Sequence, residues 1–390
     1  MVEIADIFNQ YGQEYIDNHN LSIQQIKVIQ DITACRTSQL GGHVENCDNC
    51  GHLRVSYNSC RNRHCPKCQG LVKEQWIEKR KNDLLPIQYY HIVFTVPNNL
   101  NDLALRNKKE IYDLLFKASS DTLKELAEDP KYLKANIGFI SILHTWGQNL
   151  MDHPHIHCIV TGGGLSLNKE KWISAKKDFF IPVRVLSSLF RGKFLHYLKN
   201  LFKEDKLIFP GKIINLNDQI NFNKLLNKLY NKSWVVHCKP SFKNPEFVIE
   251  YLGRYTNKVA ISNYRIIKLE NDKVTFRYKD YNDNDKTKFM TLNVFEFIRR
   301  FLLHVLPKKF VRIRYFGLLS NRYRKTNLNR CRLLLKVSPV NYNNLNKEES
   351  WQEIYLRITG EDISVRICPE CGKGKMITKE ILRYIRPSPA

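Results

Sequence analysis

Residues 137–164 read IGFISILHTWGQNLMDHPHIHCIVTGGG. The apolar, β-branched runs IGFISILHTW and HIHCIVTGG flank the polar turn GQNLMDHP, and two strands joined in that way make an antiparallel hairpin. Alternate side chains of a strand face one side, so His155 and His157 look into the same space while Ile156 packs behind them. Two imidazoles held like this form a clamp for a divalent cation. Gln148, in the turn, is the candidate third ligand through its amide oxygen, with His144 and His153 as alternatives. Such a donor set suits Mg2+ or Mn2+ with open positions for a phosphate.

Upstream, YYHIVFTVP (89–97) is aromatic, β-branched and closed by a proline, as a buried strand would be, and a helical pattern covers about Asn107 to Glu128. Strand, helix, strand, strand predicts an α+β fold. Downstream, VRVLSSLFRGKFLHYLKNLF is an amphipathic helix of the core-packing kind. FVIEYLGRYTNKVA then reads as a helix on which Tyr251, Tyr255 and Lys258 stand at i, i+4 and i+7 and share one face. NYRIIKLENDKVTFRYKD is strand-rich. Residues 1 to about 40 carry Ile23, Ile26, Ile29 and Ile32 at helical spacing.

Between these helices and the strand lies a cysteine-rich interval. Cys47-x-x-Cys50 and Cys65-x-x-Cys68 are separated by fourteen residues, and two such turns can present four sulfurs to one tetrahedral ion, so this set is expected to hold a structural Zn2+. His43, His52, Cys60 and His64 are close enough to compete, Cys60 most seriously. Arg61, Arg63 and Lys67 lie on the same knuckle, where their charges would face a phosphate backbone. Near the C-terminus, Cys368-x-x-Cys371 is half a zinc ribbon, and a second zinc would need ligands from elsewhere, such as Cys331 or His304.

The chain has 62 Lys and Arg against 38 Asp and Glu, a formal charge of +24, which points to a polyanionic partner. At 390 residues, 43% hydrophobic and 11% aromatic, it can bury a sizeable core, and more than one domain is expected. Between Arg299 and Lys336 there are twelve Lys or Arg and no acid, interleaved with Phe301, Phe310, Tyr315, Phe316 and Tyr323. Arg312, Arg314, Arg322 and Arg324 are the candidate DNA contacts there, with aromatics available to stack on unpaired bases. No apolar stretch approaches the roughly 20 residues of a membrane span, and MVEIADIFNQ has neither a basic nor an apolar leader region, so a cytoplasmic location is expected. In that reducing compartment the eleven cysteines are read as metal ligands rather than a disulfide framework.

In this order, NSCRNRHCPKCQ, HIVFTVP, LHTWGQNLMDHPHIHCIVTGGG, VRVLSSLFRGKFL, YLGRYTNKVAISN and RIRYFGLLSN resemble the rolling-circle transposases of the insertion sequence ninety-one family, over most of the chain. The resemblance implies a His-hydrophobe-His (HUH) nuclease core, an antiparallel sheet with flanking helices, between an N-terminal helical zinc-binding domain and a basic C-terminal region. The segments would be 1–86, 87–270 (with 165–245 specific to the family) and 271–390. It implies that Tyr251 and Tyr255 are nucleophiles, that Lys258 stabilises charge beside Tyr255, and that single-stranded DNA at transposon ends and a target site is cut through a 5′-phosphotyrosine link. The oligomeric state is left open. A plasmid replication initiator and a non-catalytic zinc-dependent DNA-binding regulator are the rival readings.

Overall fold

The computed structural model describes residues 2–176, 181–241, 247, 248, 253, 260–280, 283–341, 353, 356 and 366–384. In chain order the elements are α1 (Ile4–Asn18), α2 (Ile23–Ala34), β1 (Gly42–Cys47), β2 (Leu53–Tyr57), α3 (Gln69–Lys81), β3 (Tyr89–Thr95), α4 (Asn101–Arg106), α5 (Lys108–Glu128), β4 (Ala135–Trp146), β5 (Asp152–Ser166), β6 (Trp172–Ser174), α6 (Val183–Lys203), α7 (Gln219–Tyr230), β7 (Val236–Ser241), β8 (Ile266–Glu270), β9 (Lys273–Asp280), β10 (Lys286–Asn293), α8 (Val294–Leu303), β11 (Ile313–Gly317), α9 (Arg324–Leu334) and β12 (Met376–Leu382). They form two compact units. One comprises 1–76, 257–305 and 341–390, the other 77–256 and 306–340. The chain passes between them four times, so the consecutive segments 1–86, 87–270 and 271–390 do not coincide with the compact units.

The second unit is built on the predicted hairpin. β4 and β5 pair antiparallel around the turn 147–151, and the sheet runs β11-β4-β5-β3-β7, with β6 on β5. Every strand pairing among its described residues is antiparallel. Period-two alternation sorts the faces: Tyr90, Ile92 and Phe94 of β3 and Ile156, Cys158 and Val160 of β5 enter one core with Phe116 of α5 and Phe190 and Phe194 of α6. The helix read in VRVLSSLFRGKFLHYLKNLF is α6, and its Phe190 packs on Phe94 with ring centroids 4.9 Å apart.

In the first unit, α2 begins at a capping box in which Gln25 N–H donates to Ser22 Oγ and Ser22 N–H donates to Gln25 Oε1. Of the four periodic isoleucines, Ile29 and Ile32 are buried, whereas Ile23 is 78% exposed because it occupies the first helical position. The helices α1 and α2 approach at Gly12, where a Cβ would come 2.9 Å from Ile29 Cγ2. Two three-stranded sheets complete the unit, in the orders β12-β1-β2 and β10-β9-β8.

Candidate functional site

Since Ile156, Cys158 and Val160 point into the helix-covered core, His155 and His157 emerge on the opposite face of the sheet. The register His144↔His155 puts a third imidazole on that side. One ring nitrogen from each of His144, His155 and His157 lies within 4.8 Å of the others. His144, one of the alternative third ligands in the sequence reading, is thus within reach of the pair. Gln148 lies in the turn after β4, and His153 instead offers its carbonyl oxygen.

Hydrogen bonds fix how two of these rings present themselves. His155 Nδ1–H donates to the His153 carbonyl at 2.6 Å, so Nε2 is the ring nitrogen that faces the cluster. His157 Nδ1 lies 2.9 Å from Nε2 of His91 on β3, and the two rings stack with centroids 5.1 Å apart. For His157 to offer Nε2 to a cation, its Nδ1 must carry the proton and donate to His91. The two Nε2 atoms are 3.1 Å apart. Burial pushes the His91 imidazole down to about 4, with Lys239 and His237 adding repulsion, so it stays neutral and can accept. Trp146 stacks on His144 at 4.8 Å. At the start of β5, Asp152 is buried and its carboxyl is pushed up to about 7 by that burial.

Tyr251, Tyr255 and Lys258 lie outside the described residues. His91 was missed by the sequence reading. Its one signal was a polar residue in YYHIVFT on the face opposite Ile92 and Phe94.

The cysteines do not group as their spacing suggested. Cys47 and Cys50 are joined by Cys368 and Cys371, and Cys65 and Cys68 by Cys35 and Cys60. The expected set Cys47, Cys50, Cys65 and Cys68 is thus divided between two clusters. The reason is chain geometry: Cys35 caps the end of α2 and meets the 60–68 loop, whereas β1 carries Cys47 to the edge where β12 pairs. In the first cluster Cys35 Sγ is 3.5 Å from Cys68 Sγ and 3.6 Å from Cys65 Sγ, and Cys60 Sγ is 3.6 Å from Cys68 Sγ. In the second, Cys331 and His304 have no part, and the Gly374 N–H points at Cys371 Sγ, helping to hold that thiol down at about 6. His43, His52 and His64 belong to neither cluster.

Of the basic candidates, Arg312 is buried, Arg314 pairs with Asp113 over the Phe116 ring, and Arg324 pairs with Asp83 at 3.3 Å. Lys67 pairs with Glu3, and Arg63 is partly withdrawn from solvent. Arg322 and Arg61 are exposed. Phe301 and Phe310 are core residues, whereas Tyr323 is 53% exposed beneath Arg322. Among the described residues no helix is long and apolar enough to cross a membrane.

The chain thus carries an HUH-type pair of histidines on an antiparallel sheet and two clusters of four thiols. The family described as "Putative transposase" matches residues 138–327, and the "Transposase zinc-binding domain" family matches 7–96. The chain is 49% identical over 388 residues, 99% of its length and 97% of the relative's, to "Putative transposase y4qJ" of Sinorhizobium fredii (strain NBRC 101917 / NGR234). It is 29% identical over 330 residues, 80% of its length and 75% of the relative's, to "Transposase for insertion sequence element IS801" of Pseudomonas savastanoi pv. phaseolicola. Among solved structures, the conjugative relaxase TrwC in complex with oriT DNA aligns with 43% of this chain and 71% of its own at 14% identity and a TM-score of 0.24. The chain belongs to the rolling-circle transposases of the insertion sequence ninety-one family, proteins of DNA transposition.

Proposed function

We propose that this transposase nicks and rejoins single-stranded DNA at the ends of its element through a 5′-phosphotyrosine intermediate, with Tyr251 and Tyr255 as nucleophiles. The observation that carries the reading is the histidine cluster. His155 Nε2 and His157 Nε2 are 3.1 Å apart, and a ring nitrogen of His144 lies within 4.8 Å of them, near enough for one cation to take all three as ligands. His144, His155 and His157 would hold a Mg2+ or Mn2+ ion. Such an ion would polarise the non-bridging oxygens of the scissile phosphate.

The remaining steps belong to the side chains. A tyrosine phenol, with an ordinary pKa near 10, must lose its proton before its oxygen attacks phosphorus. The bond from phosphorus to the 3′ oxygen then breaks, and that oxygen takes up a proton and leaves as a 3′-hydroxyl. Lys258 would stabilise charge on the phosphate or the phenolate. The tyrosine ester retains the energy of the phosphodiester, so an incoming 3′-hydroxyl can reverse the step and join a new strand without ATP. Exposed Arg322 and Arg61 are suited to the DNA backbone, and Tyr323 to an unpaired base. Cys35, Cys60, Cys65 and Cys68 are read as ligands of a structural zinc.

The test is a covalent-adduct assay with a single-stranded end oligonucleotide and Mg2+ or Mn2+. Wild type should form an adduct that survives denaturation, and Tyr251→Phe combined with Tyr255→Phe should bind DNA without forming one. The single variants should differ, since two tyrosines one helical turn apart meet the phosphate differently. An adduct at wild-type level in the double variant refutes the mechanism, and DNA binding with no adduct in wild type favours the regulator.

A further inference from the structure

Cys368 and Cys371 stand outside residues 7–96 that match the zinc-binding domain family, yet they close on two cysteines inside it. Cys47 Sγ is 3.8 Å from Cys371 Sγ, and Cys50 Sγ is 3.6 Å from Cys368 Sγ. A disulfide would need about 2.05 Å. Four sulfurs at about 2.3 Å from one ion stand about 3.8 Å apart along each tetrahedral edge, so the separations match metal ligation and not oxidation.

The two halves are alike in sequence and backbone. Cys47-Asp-Asn-Cys50-Gly51 and Cys368-Pro-Glu-Cys371-Gly372 are both C-x-x-C-G. Gly51 and Gly372 both adopt positive φ, +74° and +65°. The Gly51 N–H donates to the Cys47 carbonyl at 3.1 Å and the Gly372 N–H to the Cys368 carbonyl at 3.0 Å. Each is a turn that aims two sulfurs at one point. At the joint, Gly374 lies so near that a Cβ would fall 2.4 Å from Cys47 Sγ.

The sheet around this cluster cannot account for its own stability by burial. Leu53 and Val55 of β2 are 57% and 48% exposed, and Ile377 and Ile381 of β12 are 56% and 76% exposed. The buried set at the joint is Cys47, Cys368 and Met376. Sheets with so little apolar burial need a staple. Nevertheless β12 pairs with β1 from Gly42↔Leu382 to Cys47↔Met376, and the Asp48 N–H reaches the Lys375 carbonyl at 3.0 Å.

We infer that Cys47, Cys50, Cys368 and Cys371 are a second, four-thiolate zinc site, assembled from both ends of the chain, which fastens the C-terminal ribbon to the N-terminal sheet. Each half supplies two ligands and cannot complete a tetrahedron alone. Cys50 and Cys368 are 318 positions apart, so this site closes only when the whole chain has been made, whereas Cys35, Cys60, Cys65 and Cys68 can close on the first 68 residues.

The test is elemental analysis of full-length protein purified without chelators, together with cadmium-113 NMR of the cadmium-exchanged wild type. Two zinc ions per chain and two cadmium resonances, both in the four-thiolate range, are expected. Cys368→Ser with Cys371→Ser should leave one zinc and remove one resonance. One zinc per wild-type chain, iron in place of the second zinc, a mass lowered by disulfide formation, or two zinc ions in the Cys368/Cys371 variant would each overturn the assignment. The NMR count needs no variant, so it decides even if the double substitution prevents folding. Neither readout involves DNA, so failure here is distinguishable from failure of the nuclease reading.

Discussion

His91→Phe is the most informative single change for the histidine cluster. It keeps an aromatic ring where His91 now stacks on His157, with centroids 5.1 Å apart, but deletes the Nε2 that lies 2.9 Å from His157 Nδ1. Without that acceptor, His157 can carry its proton on either nitrogen, and the tautomer with Nε2–H cannot bind a cation. Loss of such an outer hydrogen bond weakens metal binding about 10- to 100-fold, which is about 1.4 to 2.7 kcal/mol. The assay is adduct formation as a function of Mn2+ concentration, with a direct calorimetric titration of the ion in parallel. The half-saturating Mn2+ concentration should rise by that factor, while adduct formation at saturating Mn2+ stays within a few-fold of wild type. His91→Gln, whose amide oxygen can accept from Nδ1–H, should recover part of the loss. An unchanged Mn2+ dependence in a folded His91→Phe protein would refute the reasoning, as would a fall in the saturated rate alone.

Other outcomes follow from burial and chemistry. Asp152 has no hydrogen-bond partner for either carboxylate oxygen among the described residues, and its folded pKa lies above the unfolded one, at about 7 against 3.8. Stability present below pH 4 is therefore lost as pH rises towards 7, by at most about 4 kcal/mol. Urea midpoints measured from pH 5 to 8 should fall more steeply in wild type than in Asp152→Asn, and parallel curves would contradict this. Phe94→Ala empties a fully buried site against Phe190 and should cost about 3 to 5 kcal/mol in denaturant unfolding. Cys35→Ser should release one zinc and leave the resonance of the Cys47 cluster in place, whereas Gly374→Ala should disturb the Cys47 cluster and spare the other.

The hairpin, its histidine face and the strand ahead of it were legible because local alternation determines them. Residues 89–95 and 137–164 contain both the apolar set and the imidazoles that point away from it. The thiol clusters were only half legible. A C-x-x-C turn announces two ligands, but which second pair it meets depends on β12 returning to β1 from more than 300 residues away, and nothing local to Cys47 encodes that. Nearness in sequence favoured Cys65 and Cys68, whose actual partners are Cys60, already a rival in the sequence, and Cys35, a lone cysteine at a helix end. The basic stretch misled in a different way. Composition cannot separate an arginine facing solvent from Arg332, whose guanidinium donates to the Leu84 carbonyl at 3.1 Å, or from buried Arg312. His91 needed the β3–β5 register before its role could be read.

The pairing of His144 with His155 has a consequence for errors in folding. Strand side chains alternate with period two, so sliding β5 one residue along β4 would send both imidazoles into a core of phenylalanines and bring Ile156 and Cys158 out to replace them. Polar groups buried without partners cost several kcal/mol, and a misthreaded hairpin would therefore lose its stability before it could persist as a folded protein with a scrambled cation face. Burial acts as a proofreader for the ligands on the other side of the sheet. Copies that thread this hairpin wrongly are removed as unfolded chains, and the survivors carry their imidazoles in register.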